Sequence, residues 1–297
     1  MRSKPLVTRP ARALSILCLV ALLASCGLGE FFIKRSIVNL EGDIAKELKS
    51  YASFDAKQEA EIEQIARTMS NWMRGERLPL LVSELELVAQ EIEQNGELSE
   101  QRWRSFVSFM EAPFELSQAP GLLAQLSNVI HGMSEDQIEQ ASKKIVKDHK
   151  KKIRELDKTT ADDQADKIVD GIKAVFKDIG IKRSSEQLKQ AKLMLKKRTA
   201  YIELDKQTEL EGYQDFMQML RDRNVSNVEF EKRFTQLWMA IELSPKDRLP
   251  DQWENNLTVS HEMMNFLLSD LTKEQSATAA KSIRDYANLF EELSQID

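Results

Sequence analysis

The chain has few of the residues that build tight turns, disulfides or zinc sites. Its 297 residues include 10 glycines, 7 prolines and 2 cysteines. The low glycine and proline content argues against a turn-rich β sandwich and against a nucleotide-binding fold with a glycine-rich loop. Two cysteines exclude a disulfide framework and a cysteine-based zinc site. Mean hydropathy is −0.43, and the sequence has one long apolar run. The rest of the chain is long enough for one large or two small domains.

Residues 1–25 have the pattern of an export signal. Four cations and no acid precede the apolar run of residues 13–24. That run is too short for a membrane span, which needs about 20 residues. It closes with Leu-Ala-Ser-Cys at Cys26, which resembles the bacterial lipobox. The resemblance implies cleavage before Cys26 and acylation of that residue with three chains, palmitate among them. An ordinary secretory signal with a chance cysteine is the alternative.

The residue after Cys26 bears on the destination of the protein. In the sorting rule of Gram-negative lipoproteins, which this segment resembles, an aspartate at that position retains the protein in the inner membrane. Gly27 stands there instead and therefore predicts a lipid-anchored protein on the periplasmic face of the outer membrane. Cys18 would leave with the signal, so the mature chain would have no free thiol, which suits an oxidising periplasm.

The mature chain has helical spacing almost throughout. Apolar residues recur at steps of three and four, as in Ile62, Ile65 and Met69, and no run alternates as a strand would. Several predicted helix starts carry a capping box, in which Asp, Ser or Thr stands three residues before Gln. The pattern predicts an all-α multi-helix bundle with long helices kinked at prolines. The boxes are Asp55 with Gln58, Ser134 with Gln137, Ser184 with Gln187, and Thr272 with Gln275.

The offsets between these boxes predict an internal repeat. Gln58 and Gln187 are 129 residues apart, and so are Trp72 and Tyr201. We interpret this as two related helical units, with chance recurrence of capping boxes as the alternative. The predicted segments are the signal peptide at 1–25, the tether and first helix at 26–53, unit 1 at 54–157, a charged linker with a short helix at 158–183, and unit 2 at 184–297.

Positive charge is concentrated where the two units meet. Residues 143–198 hold 18 Lys and Arg against 9 Asp and Glu, whereas the whole chain has a net charge of −6. A basic stretch in the periplasm could meet anionic head groups or acidic clients, and it has no nucleic acid to bind. Charged side chains that merely coat helices are the alternative. The candidate patch is Lys150, Lys151, Lys152, Arg154, Lys192, Lys196, Lys197 and Arg198.

No motif points to catalysis, a cofactor or a metal. Phosphate-binding glycine loops and nucleophile elbows are absent from the sequence. His131 stands where a helix is expected to end, and His149 lies in the basic run, where we expect it to be solvated. His261 has Asn265, not a second histidine, at the position a zinc-protease helix would use. The tryptophans and methionines are interpreted as core, with an adaptable ligand groove as the alternative.

Two resemblances follow from these motifs. The lipobox, the FDxxQ motif at Phe54 and the segment WMRGERLP from Trp72 are similar to a family of uncharacterised proteobacterial lipoproteins without an assigned activity. Met73 replaces the His typical of that family, and Arg77 replaces an acid, so a ligand role for that His does not carry over. The LTxxQ motif at Leu271 resembles that of Spy/CpxP periplasmic chaperones, small helical cradles that hold unfolded clients without ATP.

These observations predict a non-catalytic role in interaction or envelope maintenance. An ATP-independent chaperone of the Spy kind is the alternative, and an envelope enzyme is a third class. The expected partners are the membrane, through the lipid anchor on Cys26, and an envelope protein or an unfolded client. The sequence leaves the oligomeric state open.

Overall fold

A computed structural model of the chain describes residues 30–111 and 116–296, and every regular element in these ranges is helical. The predicted all-α bundle is therefore confirmed, while Cys26 and the signal lie outside the described residues. The helices are α1 (Glu30–Val38), α2 (Leu40–Lys49), α3 (Ala56–Trp72), α4 (Leu78–Asn95), α5 (Glu100–Glu111), α6 (Leu122–His131), α7 (Glu135–Lys158), α8 (Ala161–Asp178), α9 (Ser185–Leu195), α10 (Ile202–Arg221), α11 (Asn227–Glu242), α12 (Pro245–Arg248), α13 (Pro250–Leu268) and α14 (Lys273–Ser294). A short 3₁₀ segment, Leu116–Gln118, precedes α6.

All four predicted capping boxes are present at the starts of α3, α7, α9 and α14. In the second of these, the Gln137 amide N–H donates to Ser134 Oγ at 3.3 Å, and the Ser134 amide donates to Gln137 Oε1 at 2.8 Å. Each box satisfies backbone donors that the first helical turn leaves without a partner. Pro250 is the first residue of α13, a position that suits its fixed φ and missing N–H.

The first two boxes also bond to each other. Gln58 and Gln137 are both buried, and each side-chain amide donates to the other's oxygen, at 3.1 and 2.6 Å. Gln137 Nε2 donates in addition to the Ser53 carbonyl at 2.8 Å. Buried amides are tolerated only when their hydrogen bonds are made. The start of α3 is therefore fixed to the start of α7, 79 residues further along the chain.

Helices α3 and α4 form one continuous helical run. They are joined by a π turn, Met73–Arg77, which ends two residues before Pro79 in the first turn of α4. Proline lacks the N–H that an inner helical turn would use, and a wide turn is a common way to shift the hydrogen-bond ladder. The irregularity expected at Pro79 thus takes the form of a π turn.

Buried apolar side chains form two large clusters, which we call the first lobe and the second lobe. The first lobe packs α2, α3, α6, the start of α7, the end of α10 and α11. The second lobe packs the end of α4 with α5, α8, α9, α13 and α14. A smaller cluster joins α1 to α4 and α14. Each lobe takes helices from both halves of the chain, so residues 54–157 and 184–297 are intertwined.

The packing of the two lobes follows one scheme. In the first half, α3 packs on α6 and α4 on α14, while α6 also packs on α11. Suppose that α3, α4, α5, α6 and α7 correspond to α9, α10, α11, α13 and α14, in that order. The pair α3 and α6 then becomes α9 and α13, the pair α4 and α14 becomes α10 and α7, and the pair α6 and α11 becomes α13 and α5. All three pairs are present. The predicted repeat would then have α4 and α5 exchanged for α10 and α11 between the lobes.

Hydrogen bonds of the capping boxes follow the same correspondence. Gln58 Nε2 donates to the Gly132 carbonyl at 3.4 Å, and Gln187 Nε2 donates to Asp270 Oδ2 at 2.8 Å. Each acceptor residue lies two positions before the cap of the unit's second box. Superposition of residues 54–157 on 184–297 remains the test of the repeat, whose boundaries stay a prediction.

Two predicted connections contain more helix than expected. The linker at 158–183 forms α8, which has 18 residues and buries Ala165 and Phe176 in the second lobe. Thr160 caps this helix with Asp163 as its box partner, so the helix begins near the start of the predicted linker. The tether and first helix at 26–53 contain two helices, α1 and α2, because their apolar residues pack on α14 and α3.

We predict that Ser134→Ala lowers the free energy of unfolding by about 1 kcal/mol, because the N3 amide of α7 loses its side-chain acceptor. Ser185→Ala is the matched control, since Ser185 is exposed and is the first residue of α9 rather than its cap. Urea denaturation followed by circular dichroism measures both. Equal stability of Ser134→Ala and the wild-type protein would contradict a capping role.

Candidate functional site

The first half of the candidate basic patch lies on α7. Lys150 and Arg154 are exposed, whereas Lys151 and Lys152 are half-buried. Helix α7 packs against α10, and the Arg154 guanidinium donates to the Lys150 carbonyl at 3.1 Å. Part of this predicted surface is therefore covered by the neighbouring helix.

Two of the four cations in the second half of the patch, Lys192 and Lys196, are paired with acids of α8. Lys192 Nζ lies 2.8 Å from Asp162 and 2.6 Å from Asp166, and Lys196 Nζ lies 2.7 Å from Asp162. Hydrogen bonds from Lys192 and then Lys196, with their charges, lower the pKa of Asp162 to about 2. Helix α9 packs on α8 and α13, and α7 with α9 is not among the well-packed helix pairs of the described residues. A single surface formed by both halves stays a prediction.

A cleft of about 300 Å³ lies beside these pairs, between the start of α8 and the segment that joins α9 to α10. Its lining mixes small apolar residues with cations, including Lys167 and Lys196. Because Lys196 is already paired with Asp162, this cleft holds less uncompensated charge than the sequence suggested.

The three histidines have structural roles. His149 is half-buried rather than solvated as expected, because it stacks on Tyr213 at 4.1 Å between centroids and its Nδ1 lies 3.2 Å from Glu209 Oε1. His131 ends α6, as predicted, and His261 Nε2 lies 2.8 Å from the Leu98 carbonyl. Within residues 30–111 and 116–296, no group of three or more His, Cys, Asp or Glu could hold a metal ion.

The aromatic and methionine side chains are mainly core, as interpreted from the sequence. Trp72, Trp238 and Trp253 are buried, and Trp103 is half-buried with its Nε1 donating to Ser260 Oγ at 3.0 Å. Met239 is an exception, since it is 56% exposed on α11. The buried tryptophans therefore do not form an open groove at the surface.

Sequence reasoning offered a ligand groove lined by tryptophan and methionine only as an alternative, and it did not locate the cavity of about 130 Å³ inside the first lobe. The cavity lies among α2, α3, α6, α7, α10 and α11, and its walls are almost wholly apolar. Apolar spacing shows that residues are buried but not whether their shapes fill the space, so the sequence carried no signal for it. The walls include Ile62, Ile65, Met69, Leu122, Val129, Met133, Ala141, Phe234 and Trp238.

One end of this cavity is polar. Glu47 and Tyr51 contribute to the lining there, and Lys144 Nζ lies 3.0 Å from Glu47 Oε1 and 4.1 Å from the centre of the Tyr51 ring. Burial, followed by the negative charges of Glu47 and Asp148, raises the pKa of Tyr51 above its usual range. The phenol is therefore neutral at physiological pH, and the ion pair of Lys144 with Glu47 marks the outer end.

A half-buried carboxylate, Glu242, supports the wall on the other side. Glu242 accepts hydrogen bonds from Trp238 Nε1 at 2.7 Å and from the amide and hydroxyl of Ser117. These bonds fix the 3₁₀ segment, and with it Leu116, against α11. Burial raises the pKa of Glu242, although the bonds from Ser117 and Trp238 oppose that shift.

The cavity has an energetic cost. Side chains around unfilled space lack the dispersion contacts that a filled core would give them, so the cavity lowers stability. Protein interiors normally contain few voids larger than a water molecule. A void of this size is therefore a candidate binding site.

No protein-family model, curated protein or solved structure matches the chain. The resemblances to the lipoprotein family and to the Spy/CpxP chaperones therefore stay predictions. Among the described residues, no helix combines the length and apolar character that a membrane crossing requires.

We predict that the free energy of unfolding depends less on pH in the Glu242→Gln variant than in the wild-type protein. Because the folded pKa of Glu242 is raised, the folded state favours the protonated acid. As the pH rises from the ordinary glutamate pKa through the raised value, a charge must be buried, and the free energy of unfolding falls. Glutamine keeps an acceptor for Trp238 without that charge.

Urea denaturation of both proteins from acidic to neutral pH measures the difference. Wild-type stability should fall relative to Glu242→Gln over that interval, and Glu274→Gln, at an exposed position of α14, is the matched control. Parallel curves for wild type and Glu242→Gln would contradict the role of burial.

Proposed function

We propose that the chain is a lipid-anchored periplasmic protein of the outer membrane that acts by binding an apolar partner rather than by catalysis. The apolar cavity of the first lobe carries this proposal. Its walls offer dispersion contacts and almost no hydrogen-bonding groups, and its polar residues stand at one end. Such a site retains an apolar group but has no paired acid and base with which to transform it.

The position of the anchor adds a constraint to this role. Helix α1 begins at Glu30, only four residues after Cys26. Four extended residues span at most about 14 Å, at about 3.5 Å for each residue. If Cys26 is acylated, the helical body lies close to the lipid surface, where apolar molecules are concentrated.

We predict that Cys26→Ser abolishes acylation and releases the protein from the outer membrane fraction. Two or more acyl chains are needed for stable attachment, and serine offers no thiol for the first step. Labelling with radioactive palmitate and membrane fractionation measure both effects, and Cys18→Ser is the matched control because that cysteine lies within the predicted signal. Continued labelling and outer-membrane fractionation of Cys26→Ser would rule out the lipobox.

An ATP-independent chaperone of the Spy kind is the second candidate. The exchange of α4 and α10 between the lobes favours it, because a duplicated chain with exchanged helices could stand for a dimer of small subunits. The LTxxQ motif does not favour the chaperone hypothesis, because Thr272 and Gln275 form an ordinary capping box at α14. Charge on α7 would then help to hold acidic clients.

The chaperone hypothesis predicts that reversing charge at Lys150, Lys151 and Lys152 weakens suppression of client aggregation. Added salt should weaken it as well, because the screening length is about 8 Å at physiological ionic strength. Light scattering of a chemically denatured acidic client measures both effects, and charge reversal at Lys273 and Lys281, on α14, is the matched control. Suppression that is indifferent to charge and salt would argue against this surface.

A further inference from the structure

We propose that the cavity of the first lobe binds one small apolar molecule about the size of a benzene ring, an aromatic or compact branched hydrocarbon group. This inference rests on the proposed binding role and names its ligand class. The cavity of about 130 Å³ is close in size to apolar protein cavities of about 150 Å³ that stay dry and take up benzene.

The walls explain why an apolar molecule is favoured over water. A buried water needs two to four polar partners, whereas leucine, isoleucine, valine, methionine and phenylalanine side chains make up most of this lining. The one indole N–H nearby, of Trp238, is occupied by Glu242 at 2.7 Å. A hydrocarbon would gain the dispersion contacts that the lining now lacks, without losing a hydrogen bond.

The outer end of the cavity sets the route of access. Tyr51, Ile145 and Phe216, from the end of α2 and from α7 and α10, line the cavity and are each half-buried. Glu47 and Leu48 of α2 also line this side and are half-buried, so we place the route of access among these side chains. The Lys144 and Glu47 pair supplies the polar groups at this end.

The test uses benzene and the purified full chain. Thermal unfolding and calorimetric titration should show saturable binding and a melting temperature that rises with benzene concentration, because a ligand of the folded state stabilises it. Ala141→Leu places a larger side chain in the cavity. Its melting temperature without benzene should be at least that of the wild type, and benzene affinity should fall at least tenfold.

Ala277→Leu is the matched control, since it makes the same change at an exposed position of α14 in the other lobe. It should bind benzene as the wild type does. If Ala141→Leu does not fold, Val129→Phe fills the same cavity from α6. Failure of the wild type to bind, or equal affinity in the filled variant, would overturn the proposal. Membrane attachment through Cys26 is measured separately, so its failure and this one can be told apart.

Discussion

The exchange of long helices between the two lobes is the constraint on which the rest of the fold depends. Helix α4 belongs to the first half of the chain but completes the second lobe, and α10 does the reverse for the first lobe. The contact of α4 with α14 is the most extensive between any two helices of the described residues. Neither half can bury its apolar face alone, so the two halves must fold together.

Polar groups then fix how the helices begin and meet. The reciprocal amide bonds of Gln58 and Gln137 join the starts of α3 and α7 inside the first lobe. Ion pairs of Lys192 and Lys196 with Asp162 join α9 to α8 on the outside of the second lobe. The first contact is buried and orders the core, whereas the second is exposed and contributes little to stability. The charge that looked like a binding surface is therefore partly a connection between helices.

The cavity has the opposite effect on stability from these contacts. It lies where helices from both halves converge, with Phe234 and Trp238 of α11 facing Ile62 and Met69 of α3. Helices from both halves of the chain build the first lobe, and unfilled volume remains between them. A protein that binds a ligand can keep such a void, because selection acts on function and not on maximal stability.

Local chemistry explains which features the sequence alone determined. Capping boxes, helix periodicity and the start of α13 at Pro250 depend on neighbours within a few residues, so Asp55, Ser134, Ser184 and Thr272 specified helix starts without tertiary information. Tertiary packing decided the rest. Whether Lys192 meets Asp162, whether His149 stacks on Tyr213, and whether the side chains around Ala141 fill their space all depend on residues far apart in the chain. Spacing shows that such residues are buried or charged, but only the docking of helices sets which of them touch and what volume remains between them.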